Sequence, residues 1–392
     1  MKAWDVVIVG GGVIGVSAGF ELAAEKLRVV ILDRQRPGLE ASWAAGGMLS
    51  PAPHSPQDIS LVSFGKESLG LYPVFVGAVE EASGRSAGFA CAGTLEIFFA
   101  PQGEVERDKM AAEHRRLGLA AEPVSLGDAR KLESSISPAA RAAAWLPEEC
   151  TVEPRMLMDA VLEAARQRGV EIRADCRVTS LLGERGRCVG VVAGGEKIAA
   201  GHVVVAAGCY SGLIGLADEI TREVAHADGF KHYAPTRPVR GQIVALRGRT
   251  GAPLRRVLRS ERGYLVPQHD GRILAGSTLE EAGFQKHVTA AGVRKILAGA
   301  LDMMPALEEA EIVETWAGLR PGTPDDLPII GPTEIEGLFA ATGHYRNGIL
   351  LAPATAGLVR EWITRGQAAR YGERGKFSPL RFRRSGAAAG RF

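Results

Sequence analysis

The stretch from Asp5 to Asp33 constrains the fold more than any other part of the chain. An apolar run is followed by glycines in G-x-G-x-x-G spacing, by a helical stretch, and by a second apolar run that ends in an acid. This order predicts a βαβ unit of the Rossmann type, which grips a dinucleotide. The alternative is an ordinary βαβ unit with a glycine-rich turn, because the glycine spacing by itself is a weak signal.

Each residue type in this stretch has a physical reason for its position. Gly10 suits a sharp turn, Gly12 lets the backbone approach a pyrophosphate, and Gly15 lets the helix pack closely on the strand. The positive end of the helix favours phosphate. Asp33 is placed to accept hydrogen bonds from an adenosine ribose, which does not distinguish NAD from FAD. The predicted dinucleotide contacts are Gly10, Gly12, Val13, Ile14, Gly15, Asp33 and Arg34.

Composition limits the class of protein. A chain of 392 residues exceeds one typical core, so we expect two domains. The net charge of +2 gives no case for nucleic acid or an anionic membrane as partner. The cysteines are odd in number, with no C-x-x-C pair and no histidine at metal-ligand spacing, so we expect no disulfide framework, no metal site and a cytoplasmic location. They are Cys91, Cys150, Cys176, Cys188 and Cys209.

The apolar run at 6–20 could be mistaken for a targeting segment. It is too short to span a bilayer, and its glycines have phosphate-loop spacing. We therefore expect it to be folded and retained. No other run approaches transmembrane length, so we expect a soluble protein.

Further strands are predicted from residue 169 onward. The run at 202–207 is typical of a strand buried on both faces of a parallel sheet. Its carboxyl end, Ala207 and Gly208, would lie beside the first phosphate loop. Val178 falls where an adenine would be sandwiched, although any core strand could supply a valine there.

The second half of the chain changes pattern and then returns. Short apolar runs between 233 and 334 predict antiparallel strands, and a buried strand follows at 337–343. We therefore predict an α/β (α+β overall) fold, in which a Rossmann-like nucleotide-binding domain carries an inserted domain built on a large, mainly antiparallel sheet. The predicted boundaries are 1–84, 150–230 and 335–365 for the first domain, 85–149 and 231–334 for the second, and 366–392 for a flexible basic C-terminal tail.

Two other segments carry residues of interest. The small residues of EASWAAGGMLSPAP, at 40–53, permit close backbone approach, and Ser42 could begin a short helix that faces a phosphate or a ring. A tight surface loop is the alternative. The acids Glu148, Glu149 and Glu153 lie in a turn-like stretch, where solvated charge is a better explanation than paired-carboxylate catalysis.

Several motifs together resemble a known family. DVVIVGGGVIGVSAGFELA, WAAGGMLSP, ETWAGLRPGTPDDLPIIGP and TGHYRNGILLAPAT are similar to sequences of the flavin-dependent amine oxidases of the D-amino-acid oxidase superfamily. The likeness is greatest to the glycine oxidases of thiazole (thiamine) biosynthesis, and it extends to about Trp362. The resemblance implies FAD, whose ADP half is held by Gly10, Gly12, Gly15 and Asp33, with Val178 at the adenine. It implies that the flavin is lined by Ser42, Gly46, Gly47, Met48, Leu49, Gly343, Arg346, Asn347, Gly348 and Ile349.

Substrate contacts are predicted from chemistry as well as from the resemblance. A planar guanidinium holds an amino-acid carboxylate with two parallel hydrogen bonds, and Arg320, in the predicted turn AGLRPG, is placed for this role. Without the resemblance, a surface ion pair would be the ordinary explanation of such an arginine. Tyr264 matches a family tyrosine that binds the same carboxylate, and Arg346 matches a second arginine at the mouth of the site.

The resemblance also implies a reaction. Glycine, sarcosine or a small D-amino acid loses a hydride from its α-carbon and becomes an imine, and oxygen is reduced to peroxide. The family mechanism requires no acid–base residue. For His344, support of the backbone and an acid–base role are both open. No cysteine follows Cys209, so the FAD is expected to be non-covalent. The family suggests a homo-oligomer, often a tetramer. The alternatives are a dehydrogenase that uses a quinone or carrier, and a flavin-binding subunit of an amine-oxidising complex.

Overall fold

Two large sheets organise the chain in the computed structural model, which describes residues 4–53, 56–216, 229–248, 254–366 and 372–382. The helices are α1 (Val13–Ala24), α2 (Val62–Ser83), α3 (Gly103–Arg116), α4 (Leu126–Leu132), α5 (Pro154–Gln167), α6 (Ala290–Met303) and α7 (Gly348–Arg365). The strands are β1 (Trp4–Val9), β2 (Val29–Leu32), β3 (Met48–Leu49), β4 (Thr94–Phe98), β5 (Glu122–Val124), β6 (Ala142–Leu146), β7 (Cys150–Thr151), β8 (Glu171–Arg173), β9 (Val178–Glu184), β10 (Arg187–Ala193), β11 (Glu196–Val205), β12 (Gly215–Leu216), β13 (Arg237–Arg247), β14 (Val257–Ser260), β15 (Gly263–Pro267), β16 (Arg272–Gly276), β17 (Glu311–Gly322), β18 (Ile329–Pro332) and β19 (Leu338–Thr342).

The first sheet contains the predicted βαβ unit. Its path is β12-β9-β10-β11-β1-β2-β8, and β19 joins it beside β11 with β18 on its outer side. Strand β1 is parallel to both β2 and β11. Its alternate residues Val6 and Ile8 pack against helices, whereas Val7 and Val9 pack toward the other face. The strand predicted at 202–207 is buried on both faces, which confirms the sequence pattern.

The second sheet has the order β17-β13-β16-β15-β14-β4-β6-β5 and is antiparallel except for the β14–β4 pair. Its strands come from two chain segments, 94–146 and 237–322. This matches the predicted fold class, and we keep the division into two discontinuous domains as a proposal with one change. Strand β18, at 329–332, pairs with β19 in the first sheet, although the predicted boundary at 334 assigned it to the second domain.

Helix α7 contains a proline, which removes one hydrogen bond from the helix. Pro353 has no N–H, so the carbonyl of Ile349, four residues earlier, loses its usual partner. The hydroxyl of Tyr72, on α2, donates to this carbonyl oxygen at 2.6 Å. Ser68 Oγ, one turn earlier on α2, donates to the carbonyl oxygen of Leu350 at 2.6 Å. Helix α2 therefore supplies the partner that the proline takes away and fixes where α7 begins.

The prediction of a flexible tail from 366 is wrong for residues 372–382, which form two short 3₁₀ helices. Phe377 is buried, with its ring centroid 5.4 Å from that of Phe64. Arg381 Nε donates to Asp325 Oδ2 at 2.8 Å. The basic segment 383–392 lies outside the described residues. No helix within the described ranges is both long enough and apolar enough to cross a membrane.

A disulfide joins Cys91 to Cys150, contrary to the expectation from the cysteine count. The number and spacing of the cysteines do not reveal this disulfide, because the two residues are 59 positions apart and meet only when β7 is in place. Backbone bonds between Ala90 and Thr151 hold the two segments side by side. Cys176, Cys188 and Cys209 are free thiols.

Replacing Cys91 by Ser should destabilise the protein, because a cross-link over this separation restricts the unfolded chain. The chain-entropy relation gives a loss of about 4 kcal/mol at most. Urea unfolding without reductant should show a lower midpoint for Cys91→Ser, and added reductant should lower the midpoint of the wild type only. Cys176→Ser, which removes a free thiol, is the matched control. Rapid alkylation of both Cys91 and Cys150 in the unreduced native protein would contradict the pairing.

Candidate active site

The glycine loop at the start of α1 has the close contacts that the sequence predicts. Gly10 has φ +109°, and a Cβ added there would lie 2.5 Å from the carbonyl oxygen of Ala206. A Cβ on Gly15 would lie under 3.0 Å from the carbonyl oxygen of Gly10, which real Cβ atoms do not do. Gly12 differs, because its nearest obstacle is Ser42 Oγ at 3.3 Å and it lines a cavity. The loop thus leaves backbone open toward the cavity, as phosphate binding requires.

Two side chains hold the loop in shape. Asp33 Oδ2 accepts a hydrogen bond from the backbone N–H of Gly11 at 2.7 Å, and its Oδ1 accepts one from Gln35. Ser42 Oγ accepts a hydrogen bond from the N–H of Val13, the first residue of α1, at 2.9 Å. Ser42 lies in a turn and does not begin a helix, so that part of the sequence prediction is wrong. Both side chains also line the cavity.

The cavity lies between the two sheets and has a volume of about 490 Å³, within the usual range for cofactor sites. It is lined by nearly all the residues predicted to contact cofactor or substrate: Gly10, Gly12, Val13, Ile14, Asp33, Arg34, Ser42, Gly46, Gly47, Met48, Val178, Ala207, Gly208, Tyr264, Arg320, Gly343, Arg346, Asn347, Gly348 and Ile349.

Two predicted contacts do not line the cavity. Leu49 is fully buried in the core beside the helices, because successive residues of a strand point to opposite faces and only Met48 and Ser50 face the cavity. The side chain of Leu49 therefore belongs to the core, and only its backbone is left to contact a flavin. Gly15 packs against the backbone of Gly10 and acts through the shape of the loop.

The N-termini of two helices open onto this cavity. Helix α1 begins at Val13 and helix α7 begins at Gly348, and both residues line the cavity. The loop before α7 turns at Gly343, which has φ +71° and where a Cβ would lie 2.5 Å from Thr323 Cγ2. Each helix N-terminus carries partial positive charge and unpaired N–H groups. The cavity can therefore hold negative charge at two separate points.

Arg320 projects into the same cavity from within β17, and not from a turn as the sequence predicted. Its Nη1 donates to the carbonyl oxygen of Thr278 at 3.2 Å, and its Nη2 donates to Ser277 Oγ at 2.9 Å. Both acceptors are neutral, and no carboxylate in the described part of the chain forms an ion pair with Arg320. Burial lowers the pKa of the Arg320 guanidinium from its usual value, and the nearby Arg346 acts in the same direction. An enclosed cation without a counter-ion is suited to bind an anion.

Tyr264 lies on the same face of the second sheet as Arg320. Tyr264 is opposite Gly276, and Gly276 is opposite Ile243 on β13, so these three residues share one face of the sheet. Residues two apart on one strand also share a face, which extends this face along β13 to the partner of Arg320. A Cβ on Gly276 would lie 2.5 Å from the hydroxyl oxygen of Tyr264, so the tyrosine lies across bare backbone. Its hydroxyl and the guanidinium thus reach into one space.

Arg346 lies in the loop before α7 and is exposed, with its guanidinium carbon 5.3 Å from the centre of the Tyr345 ring. It lines the cavity, and no described carboxylate forms an ion pair with it. This position, at the open side of the cavity, agrees with the predicted second arginine at the mouth.

Two of the acids expected to be solvated are buried. Glu149 is 5% exposed and its carboxylate accepts hydrogen bonds from Arg259 and Ser50. Glu153 accepts a hydrogen bond from the backbone N–H of His269 at 2.6 Å. Only Glu148 is exposed. Local sequence favours solvated charge because the partners of these acids are 99 to 116 positions away.

Arg259 is a site residue that the sequence analysis missed. It is opposite Tyr264 in the β14–β15 pairing, lines the cavity, and forms ion pairs with Glu96 and Glu149. Three strands, β13, β16 and β15, separate its strand β14 from β17, so no local sequence pattern links the two arginines. Gly241 and Gly276 were also missed, although isolated glycines inside strands do indicate close approach of another group.

His344 lines the cavity and is 2% exposed. Its Nε2 and Thr355 Oγ1 are hydrogen-bonded at 3.0 Å, which ties the loop to α7. Burial lowers the pKa of the His344 imidazole to about 3. The ring is therefore neutral at physiological pH, and it cannot serve there as a cationic partner for a carboxylate or as a general acid.

The geometry defines a class: a dinucleotide-binding fold whose cavity also contains an arginine without a carboxylate partner among the described residues. A family profile described as FAD dependent oxidoreductase (DAO) matches residues 5–362. The chain belongs to this family, and FAD is therefore the dinucleotide that the loop at α1 serves. The glycine cradle, the open helix N-termini and the cavity volume fit such a group.

Named relatives support a finer comparison. The chain is 33% identical to the glycine oxidase of Pseudomonas putida, over 92% of this chain and 94% of that protein. It is similar to the crystal structure of glycine oxidase from Geobacillus kaustophilus, with 31% identity and a TM-score of 0.87, covering 97% of this chain and 99% of the other. It is also 34% identical to the bifunctional protein ThiO/ThiG of Trichormus variabilis over 92% of this chain, but spans only 52% of that longer protein.

The buried histidine predicts a loss of stability in acid. The pKa of His344 is about 3 when folded and near 6.5 otherwise, so the unfolded state binds more protons between these values. The contribution is fully present above about pH 6.5 and falls by up to about 1.4 kcal/mol per pH unit below it. Urea unfolding at pH 5 and pH 7 should therefore show a smaller acid loss for His344→Gln than for the wild type. Equal losses in the two proteins would show that the imidazole is protonated in the folded state.

Proposed function

We propose that the protein is an FAD-dependent glycine oxidase. Glycine, sarcosine or a small D-amino acid would lose a hydride from its α-carbon to give the imine, which water converts to glyoxylate and ammonia when the substrate is glycine. Oxygen would be reduced to hydrogen peroxide. The observation that carries the proposal is the unpaired guanidinium of Arg320 in the cavity that also contains the glycine loop of α1.

The residues of this chain position the substrate. Arg320 has donors left over after its two bonds to Ser277 and Thr278, and it can bind a carboxylate through two parallel bonds. Tyr264 adds a hydroxyl in the same space. FAD, when bound, supplies the hydride acceptor, so the protein needs to supply orientation and exclusion of water. The neutral state of His344 agrees with a reaction that uses no cationic acid.

The relatives support the choice of substrate. Glycine oxidases align with nearly the full length of this chain, and the bifunctional ThiO/ThiG relative points to use of the imine in the thiazole of thiamine. A dehydrogenase that passes electrons to a quinone or carrier is the alternative. The two are separated by the rate at which air reoxidises the reduced flavin in stopped-flow measurements.

The proposal extends to the state of the protein. The absence of cysteine after Cys209 in the sequence supports non-covalent FAD. A homo-oligomer is the expected assembly, and sedimentation will distinguish a tetramer from smaller species. We propose a cytoplasmic location, because Cys176, Cys188 and Cys209 are free thiols. The Cys91–Cys150 disulfide is the feature that favours an oxidising compartment instead.

Purified protein should be yellow and should consume oxygen when glycine is added. The expected products are glyoxylate, ammonia and peroxide in equal amounts, because each catalytic cycle removes two electrons. An oxygen electrode with a panel of glycine, sarcosine and small D-amino acids measures the preference. Denaturation in acid should release all the flavin into the supernatant. Purified protein without bound FAD would contradict the proposal.

Arg320→Ala should raise the KM for glycine and lower kcat/KM. The loss should correspond to about 2–4 kcal/mol of transition-state stabilisation, because two charged hydrogen bonds to the carboxylate are lost. The flavin content should stay unchanged, because Arg320 lies on the second sheet and away from the glycine loop. Arg115→Ala, on the exposed side of α3, is the control for loss of an arginine. An unchanged KM in Arg320→Ala would show that Arg320 does not bind the substrate.

A further inference from the structure

The guanidinium of Arg320 lies across bare backbone on the neighbouring strand. In the β13–β17 register, Arg320 is opposite Val239, and Gly318 is opposite Gly241. The side chain of Arg320 crosses toward Gly241 instead of standing over its own partner. A Cβ added to Gly241 would lie under 3.0 Å from Nη1, Nη2 and Cζ of Arg320, closer than real Cβ atoms come. The space that a side chain would fill at Gly241 is therefore occupied by the guanidinium.

The backbone conformation of Gly241 does not require glycine, although the residue also lines the cavity. Its φ lies outside the left-handed region, so its backbone conformation is open to any residue. Its three nearest heavy atoms at the added Cβ position all belong to the Arg320 guanidinium. Alanine at this position would therefore strain nothing in the backbone and would conflict first with Arg320.

The opposite side of the guanidinium is also fixed. Arg320 donates to Ser277 Oγ and to the carbonyl oxygen of Thr278. Thr278 Oγ1 in turn accepts a hydrogen bond at 2.9 Å from the N–H of Gln242, the residue after Gly241. The same short stretch of β13 thus carries the surface beneath the guanidinium and holds one of its acceptors. A shift of the guanidinium away from β13 would break these bonds.

We propose that Gly241 is a positioning residue for substrate binding: its missing side chain sets the place at which the Arg320 guanidinium meets the substrate carboxylate. This inference rests on the proposed function for the identity of the substrate. A methyl group at 241 would push the guanidinium aside, and the two parallel bonds to the carboxylate would lose their geometry. Because these bonds are directional, a small displacement is enough to weaken them.

The test compares Gly241→Ala with the wild type as FAD-loaded enzymes. We expect the KM for glycine to rise at least tenfold, with a smaller change in kcat. The dissociation constant for acetate, measured from the change it causes in the flavin absorption spectrum, should rise by a similar factor. Gly70→Ala is the matched control, because Gly70 is exposed on α2 and an added Cβ meets nothing within 4 Å. Unchanged KM and acetate binding in Gly241→Ala would overturn the proposal.

A double-mutant cycle identifies the route of the effect. In an Arg320→Ala background, Gly241→Ala should change kcat/KM and acetate binding by less than twofold, because the group it displaces is gone. A loss as large as in the wild-type background would also overturn the proposal. Should Gly241→Ala alone fail to fold, Gly241→Ala/Arg320→Ala should fold and retain FAD, since the conflict is removed. If neither variant folds, groups other than Arg320 require glycine at this position, and the proposal is contradicted.

Acetate binding keeps this inference separate from the proposed function. A wild-type enzyme that binds acetate but oxidises no amino acid would contradict the proposed reaction and leave Gly241 to be judged from acetate alone. A wild-type enzyme that oxidises glycine while Gly241→Ala behaves like it would contradict the inference and leave the reaction standing.

Discussion

An enclosed positive charge without a counter-ion is the constraint on which the substrate side of this protein depends. Taking a guanidinium away from water is costly unless hydrogen bonds or an opposite charge compensate it. Here Ser277 and Thr278 supply neutral acceptors, and they leave the charge of Arg320 free for a ligand. Arg259, on the same face of the sheet, shows the other solution, since Glu96 and Glu149 neutralise it. One sheet face thus carries an arginine paired with carboxylates and an arginine with neutral partners, which we propose to be the substrate-binding one.

The cofactor side depends on helix ends that distant parts of the chain hold in place. The turn into helix α1 needs glycines within ten residues of each other, which local sequence shows, and Asp33 and Ser42 then hold it. Near the start of helix α7, the carbonyls of Ile349 and Leu350 accept hydrogen bonds from Tyr72 and Ser68, about 280 positions earlier. Pro353 makes this support necessary, because it removes an internal bond at that point. A defect in α2 would therefore be felt at the flavin end of the cavity.

Features that follow from local spacing were predictable, and features that depend on distant pairing were not. The strand, turn and helix of 5–33 follow from glycine spacing and apolar runs, and the structure contains them. The carboxylate role of Arg320 was inferred from its chemistry, but its place inside β17 was not, because Pro321 and Gly322 resemble a turn. The burial of Glu149 depends on its contact with Arg259. Which of Met48 and Leu49 faces the cavity depends on the orientation of their strand. Neither can be read from neighbouring residues.

The buried thiols of the chain would react slowly with the peroxide that the proposed reaction releases. Cys209 lines the cavity, yet burial raises its pKa to about 12, and burial raises the pKa of Cys188 to about 11. Peroxide attacks the thiolate form, which is scarce at neutral pH for groups this weakly acidic. The cysteines at 91 and 150 are already oxidised as a disulfide. The thioether of Met48, at the cavity wall, needs no deprotonation to be oxidised, so peroxide released by the proposed reaction would meet a more reactive sulfur there than at the buried cysteines.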